Sequence, residues 1–142
     1  MRDLLILLNK GEFMKTGVYR AYFDGSASPN PGEITIGGCI KNGNENIFKF
    51  SKNMGHGTNS EAEYLALIEV LGKIVSLKIE KVEVFGDSQL IVRQMNGVYR
   101  IKQDNMKNLS KQAKDLLTHI PECELSWIKR SKNAEADSLS KG

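Results

Sequence analysis

Cysteine is scarce in this sequence, with Cys39 and Cys123 the only two. They lie far apart in apolar, strand-like runs and neither has metal-ligand spacing. This excludes a disulfide framework and suits buried thiols in a reducing compartment. Proline occurs three times, and the thirteen glycines gather near Asp24 and around Gly55 and Gly57 instead of forming repeats. Long disordered or low-complexity segments are therefore not expected. Histidine is limited to His56 and His119, each read as a loop or helix-end residue rather than a ligand. The only long hydrophobic run, Leu4-Leu5-Ile6-Leu7-Leu8, is shorter than the ~7–15 residues of a signal-peptide core and far short of a membrane span. A cytoplasmic protein without a membrane segment is expected.

The 142 residues, 40% of them apolar and 26% charged, suit one globular domain with one core. Residues 1–17 stand apart, with one apolar knot and no sustained period, and are read as an N-terminal extension, non-native or flexible, ahead of a domain at 18–142. Met14 stands just before the first strand of that domain and is the candidate natural start. The net charge of +3 is modest, but Arg93, Arg100, Lys102, Lys107, Lys111 and Lys114 face only Asp104 within residues 93–114. Such a concentration suits a polyanion partner; it equally suits a solvated helix face.

Val18–Phe23 is β-prone and is expected to stop at the turn-type cluster Asp24-Gly25-Ser26. Strands at about 34–41 and 45–52, joined at Asn42-Gly43-Asn44, complete an antiparallel meander. Thr58-Asn59-Ser60 then offers N-cap chemistry, and Ala62, Leu65, Ala66, Val70, Leu71 and Ile74 give helical spacing to about residue 76. A short strand at 82–85, helices at 89–95 and 103–119, a strand at 123–128 and a helix opening at 133 follow. The order β-β-β-α-β-α-α-β-α predicts an α/β fold, a mixed sheet with helices packed on its faces. Trp127, beside Leu125 and Ile128 in the last strand, is expected in the core or half buried.

Taken singly, the acids have structural explanations. Asp24 can belong to a turn, Asp87 can cap the helix that follows it, and Asp137 can sit in a helix's first turn. Ser60-Glu61-Ala62-Glu63 matches a capping box. Their placement changes that reading, because Asp24 and Asp87 are expected at strand ends and Glu63 and Asp137 in first helical turns. If the first and fourth strands are neighbours, all four converge at one edge. Glu63 also shares a helix face with Leu67, Val70 and Ile74, where a carboxylate is expensive unless a cation compensates it. Crowded carboxylates with no His or Cys select Mg²⁺ or Mn²⁺ over zinc. Two such ions suit phosphodiester hydrolysis.

These residues resemble the type 1 ribonuclease H family over essentially all of 18–142. The fragments that carry the resemblance are Asp24-Gly25-Ser26 with Asn30-Pro31-Gly32, Thr58-Asn59-Ser60-Glu61-Ala62-Glu63-Tyr64-Leu65-Ala66-Leu67, Asp87-Ser88-Gln89, and Arg130 with Asn133-Ala134-Glu135-Ala136-Asp137. The resemblance implies a ribonuclease H-like α/β fold, a five-stranded mixed sheet flanked on both faces by helices. It implies that Asp24, Glu63, Asp87 and Asp137 are the catalytic, metal-binding carboxylates, holding two Mg²⁺, or Mn²⁺, with substrate. It further implies cleavage of the RNA strand of an RNA–DNA hybrid, leaving 3′-hydroxyl and 5′-phosphate ends, with no obligatory protein partner evident. Substrate contacts carried over are Gly25, Ser26, Asn30, Thr58, Asn59, Gln89 and Arg130: Asn30, Asn59 and Gln89 in the minor groove, Thr58 at the DNA-strand phosphates. Discrimination then rests on 2′-hydroxyls and groove shape.

The sequence departs from that family in three places. The loop Lys129-Arg130-Ser131-Lys132 lacks the histidine many members carry, and Arg130 stands in as a phosphate holder. No long basic handle is inserted, since Gly97–Lys102 leads almost directly into the next helix. The chain stops five residues after Asp137, so the last helix is expected to be short and its hold on that carboxylate loose. Two rival readings remain: a catalytically weak or inactive hybrid-binding module of the same fold, and an integrase-like or exonuclease-like enzyme on the same sheet.

Overall fold

The computed structural model describes residues 5–7, 13–15 and 18–141. Leu5–Leu7 (β1) and Phe13–Lys15 (β2) pair antiparallel as a separate two-stranded sheet. The reading of residues 1–17 as an extension otherwise falls outside the described residues. The main sheet is built from Tyr19–Ser28 (β3), Gly32–Asn42 (β4), Glu45–Gly57 (β5), Lys81–Gly86 (β6) and Glu122–Trp127 (β7), in the order β5-β4-β3-β6-β7. β3, β4 and β5 form the expected antiparallel meander, turning at Gly43, whose φ of 61° is the left-handed conformation glycine adopts freely. β6 adds parallel to β3, and β7 parallel to β6, so the sheet is mixed.

Two strands run further than their composition predicts. β3 continues through the turn-like Gly25, Ser26 and Ser28, because each residue from Tyr19 to Ser28 has a partner on β4. β5 likewise runs to Gly57, paired with Gly32. Cross-strand pairing outweighs intrinsic preference here. His56 consequently lies in strand β5, while His119 sits just beyond a helix end, as expected.

The helices are Asn59–Ser76 (α1), Gln89–Met95 (α2), Asp104–Leu117 (α3) and Ala134–Ser140 (α4). The buried stripe of α1, with Leu67, Val70 and Ile74, packs on Ala21, Phe23, Ile36 and Val84 of the sheet in one hydrophobic core. Each large side chain so buried contributes about 1.5–3 kcal/mol. α3 closes over α1 with Met106 and Ala113, and α4 packs on the other face, against β3 and β4. Cys39 is buried and Cys123 half-buried, both as free thiols. Trp127 departs from expectation: it is 42% exposed. It shares Leu125's side of β7 but stands at the last position of an outermost strand, its indole N–H donating to the Asp87 carbonyl at 3.1 Å.

Candidate active site

The pairing of β3 with β6 ends at Phe23 opposite Gly86. The next residue on each strand is an aspartate, so Asp24 and Asp87 stand side by side where the two strands part. Asp24 therefore ends the β3–β6 ladder, not β3 itself, which continues against β4 for four more residues.

Glu63 arrives from α1. It is the fifth residue of that helix, one beyond the first turn where the sequence suggested it. The capping box is closed by Thr58 and Glu61, not by Ser60 and Glu63, which leaves the Glu63 carboxylate free to point at the strands. Gly25 permits the approach, since a Cβ there would overlap the Ala62 carbonyl and the Glu63 amide. The Gly25 N–H donates to Glu63 Oε1 at 2.5 Å. Carboxylate oxygens of Asp24, Glu63 and Asp87 come within 4.8 Å of one another.

Asp137 is delivered by α4 and stands at the rim of this trio, ion-paired with Lys141 at 3.3 Å. It still reaches Asp24, whose proton affinity it helps to raise through a hydrogen bond. α4 is as short as expected, but its hold is not loose. Gly37 on β4 lets it dock, since a Cβ there would overlap the backbone of Leu139 and Ser140. The Thr35 hydroxyl donates to the Ser140 carbonyl, and Ser51 Oγ to the Leu139 carbonyl at 2.6 Å. Glu135 adds bonds to Lys41 at 2.9 Å and Asn46 at 2.7 Å.

Asp24 and Glu63 are only 4% and 6% exposed. Burial, with Asp24 alongside, pushes the Glu63 carboxyl well above the usual range. Asp24 is raised too, first by burial and then by the Asp87 charge, against opposing hydrogen bonds from Glu63 and Ser140. Glu63 Oε2 is buried without a hydrogen-bond donor. An orphaned carboxylate oxygen among acids that resist ionisation is what a divalent cation would satisfy, and the all-oxygen donor set fits a hard ion.

Around this centre, Asn59 Oδ1 accepts from the Ala27 N–H at 2.7 Å, and Asn30 Oδ1 accepts from the Asn59 N–H at 3.0 Å. Asn30, Asn59 and the β3–β4 loop thus form one rim, next to Ser26. Gln89 opens α2 and is exposed, while Arg130 is exposed in the 3₁₀ turn Arg130–Lys132. Asp87 does not cap α2, because Ser88 does, accepting from the Ile91 N–H at 3.3 Å. Two contributors escaped sequence reasoning. Ser140 donates to Asp24 Oδ2 at 3.0 Å, and Asn133 donates to Asp87 Oδ2 at 2.8 Å. Asn133 stood inside a motif already singled out, whereas nothing local marks Ser140.

Residues 22–142 match the family model described as reverse transcriptase-like. Ribonuclease HI of Halobacterium salinarum is 31% identical over 125 residues, 87% of this chain and 63% of that protein. A bifunctional protein of Mycobacterium tuberculosis is 30% identical over 82% of this chain but only 33% of its own length. The match thus spans under two thirds of either relative. Among solved structures, Halobacterium salinarum RNase H1 superposes with a TM-score of 0.84 at 30% identity, covering 88% of this chain and 96% of that one. LC11 RNase H1, solved in complex with an RNA/DNA hybrid, does so with a TM-score of 0.81 at 35% identity, covering 87% and 94%. A sheet order, a carboxylate trio and a set of relatives that agree in this way place the chain in the type 1 ribonuclease H family.

Proposed function

We propose that this chain is a metal-dependent endonuclease that hydrolyses the RNA strand of RNA–DNA hybrids. The observation that carries the reading is the trio of Asp24, Glu63 and Asp87, the first two buried and the third half-buried, with Glu63 Oε2 orphaned, inside a family whose LC11 member was solved with a hybrid. Asp24, Glu63, Asp87 and Asp137 would together hold two Mg²⁺ or Mn²⁺ ions, which supply water activation and charge neutralisation at the scissile phosphate. The chemistry is hydrolysis: a water oxygen bonds to phosphorus, the bond to the 3′ oxygen breaks, and that oxygen takes a proton. A 5′-phosphate and a 3′-hydroxyl remain.

The protein's own groups bind and orient. Asn30, Asn59 and Gln89 face the minor groove of the hybrid, where 2′-hydroxyls identify the RNA strand, and Gly25 and Ser26 are further substrate contacts. Thr58 meets a DNA-strand phosphate. It lines a groove of about 370 Å³ together with Ser60, Arg100 and Lys102, which gives that contact a cationic wall. Arg130 holds a phosphate in place of the missing loop histidine. Among the described residues no helix is long and apolar enough to cross a membrane, and the two free thiols suit a reducing cytoplasm. We further assign the working domain to residues 18–142, with Met14 as the natural start, which N-terminal sequencing of the natively expressed protein checks.

The test is incubation of the purified chain with a labelled hybrid and Mg²⁺ or Mn²⁺, with Asp87→Asn as the inactive control. RNA-strand fragments bearing 5′-phosphates are expected. An intact hybrid that nonetheless binds the protein would favour the inactive binding module, and cleavage of plain duplex DNA would favour the integrase-like or exonuclease-like reading.

A further inference from the structure

We infer that Asn133 is the positioning residue that sets the spacing of the carboxylates, an inference that rests on the cleavage site proposed above. Asn133 is 1% exposed and lies between the 3₁₀ turn and α4. Its Nδ2 donates to the Phe23 carbonyl at 3.0 Å and to Asp87 Oδ2 at 2.8 Å. An amide nitrogen has two hydrogens, so its donor capacity is filled by these two acceptors. Its main-chain carbonyl accepts from the Asp137 N–H at 3.0 Å. One residue therefore bonds to the neighbour of Asp24, to Asp87 and to Asp137.

The location of the bridge explains its use. β3 and β6 stop exchanging backbone hydrogen bonds after Phe23 and Gly86, so nothing in the ladder fixes the separation of Asp24 from Asp87. Asn133 Nδ2 spans that gap, replacing the ladder one step beyond its end. The amide orientation is forced, because turning it over would set Oδ1 against two acceptors. Asn133 Oδ1 is itself buried without a hydrogen-bond partner. An unpaired buried oxygen lowers stability, so packing alone does not favour asparagine here. The two donors do.

Residues that orient metal-ligating carboxylates typically change metal affinity or activity by ~10–100-fold when replaced. The experiment compares the unaltered chain with Asn133→Leu, which nearly keeps the shape and removes the donors without adding charge, and with Asn133→Ala. Five quantities are measured: Mn²⁺ affinity of the free protein by electron paramagnetic resonance, kcat and KM for hybrid cleavage across a Mg²⁺ series, hybrid affinity without divalent ions, and thermal midpoint. The expected result is Mn²⁺ affinity and kcat each reduced ~10–100-fold, with hybrid affinity unchanged. A lowered midpoint with unaltered Mn²⁺ affinity and kcat overturns the inference and leaves Asn133 merely structural.

If neither variant folds, the side-chain amide resonances of Asn133 in the unaltered chain decide. They are expected to shift saturably with Mg²⁺ as the cation draws on the Asp87 carboxylate, and their indifference to Mg²⁺ overturns the inference. An unaltered chain that binds Mn²⁺ but leaves the hybrid intact defeats the proposed function instead, which keeps the two failures apart.

Discussion

Thr58 and Glu61 cap α1 reciprocally: Thr58 Oγ1 accepts from the Glu61 N–H at 3.1 Å, and Glu61 Oε1 accepts from the Thr58 N–H at 3.0 Å. The two glutamates of one short stretch therefore divide their work, Glu61 holding the helix and Glu63 facing Asp24. Glu61→Ala is expected to lower unfolding stability by about 1 kcal/mol while leaving hybrid cleavage intact. Glu63→Gln is expected to fold and to lose cleavage by more than the ~10–100-fold typical of a residue behind the ligands. Urea denaturation alongside a cleavage assay separates the two; equal loss of activity in both variants contradicts the division.

Stability should depend on pH through Glu63. Burial raises its folded-state affinity for a proton above that of the unfolded chain, so folding takes up a proton between the two values. The sign follows: metal-free protein gains stability as pH falls through the folded value, and the gain levels off near the ordinary glutamate value of 4.5. Glu63→Gln should reduce this gain to the smaller part that Asp24 contributes, and Mg²⁺ should reduce it in the unaltered chain by stabilising the ionised form. Denaturant titrations at several pH values, with and without chelator, measure it. A Glu63→Gln variant with the full gain would refute the burial argument.

Gly25 and Gly72 offer a paired test of close packing. Alanine at Gly25 would drive a methyl into the Ala62 carbonyl; about 1–3 kcal/mol of stability should go, and cleavage with it as β3 and α1 separate. Gly72 lies inside α1, and a Cβ there meets nothing within 4 Å. Gly72→Ala should stabilise the protein by about 0.5–1 kcal/mol with activity unchanged. Equal behaviour of the two variants in thermal denaturation is the adverse outcome.

The six basic residues between Arg93 and Lys114 are all exposed. Reversing Lys102, Lys107 and Lys111 to glutamate should weaken hybrid binding and flatten its dependence on salt, with a slope smaller by roughly 0.9 for each phosphate no longer neutralised. Binding measured across a salt series checks this. An unaltered slope would return those lysines to a solvated helix face.

Much of the fold was legible locally. The order of elements followed from hydrophobic period and turn chemistry, because the stripe at Leu67, Val70 and Ile74 has only one way to be buried. The extents of β3 and β5 were not legible, since Gly25, Ser26 and Ser28 are poor strand formers and only the facing β4 holds them extended. Trp127 was misjudged for a related reason. Alternation assigns a side of a strand, but it does not say where a strand end stands in the sheet.

The site divides in the same way. Sequence alone determined the chemistry on offer: an acid out of place on an apolar stripe, aspartates followed by turn residues, a basic run, and no nitrogen or sulfur cluster to compete for a metal. Residue types and local period are properties of the chain itself. Tertiary structure decided which glutamate caps and which faces the strands, that Asp24 and Asp87 meet where the β3–β6 ladder ends, that Asp137 stands at the rim, and that Ser140 and Asn133 hold them. Those outcomes depend on strand register and on two backbones approaching at Gly25 and Gly37, and long-range packing alone sets both.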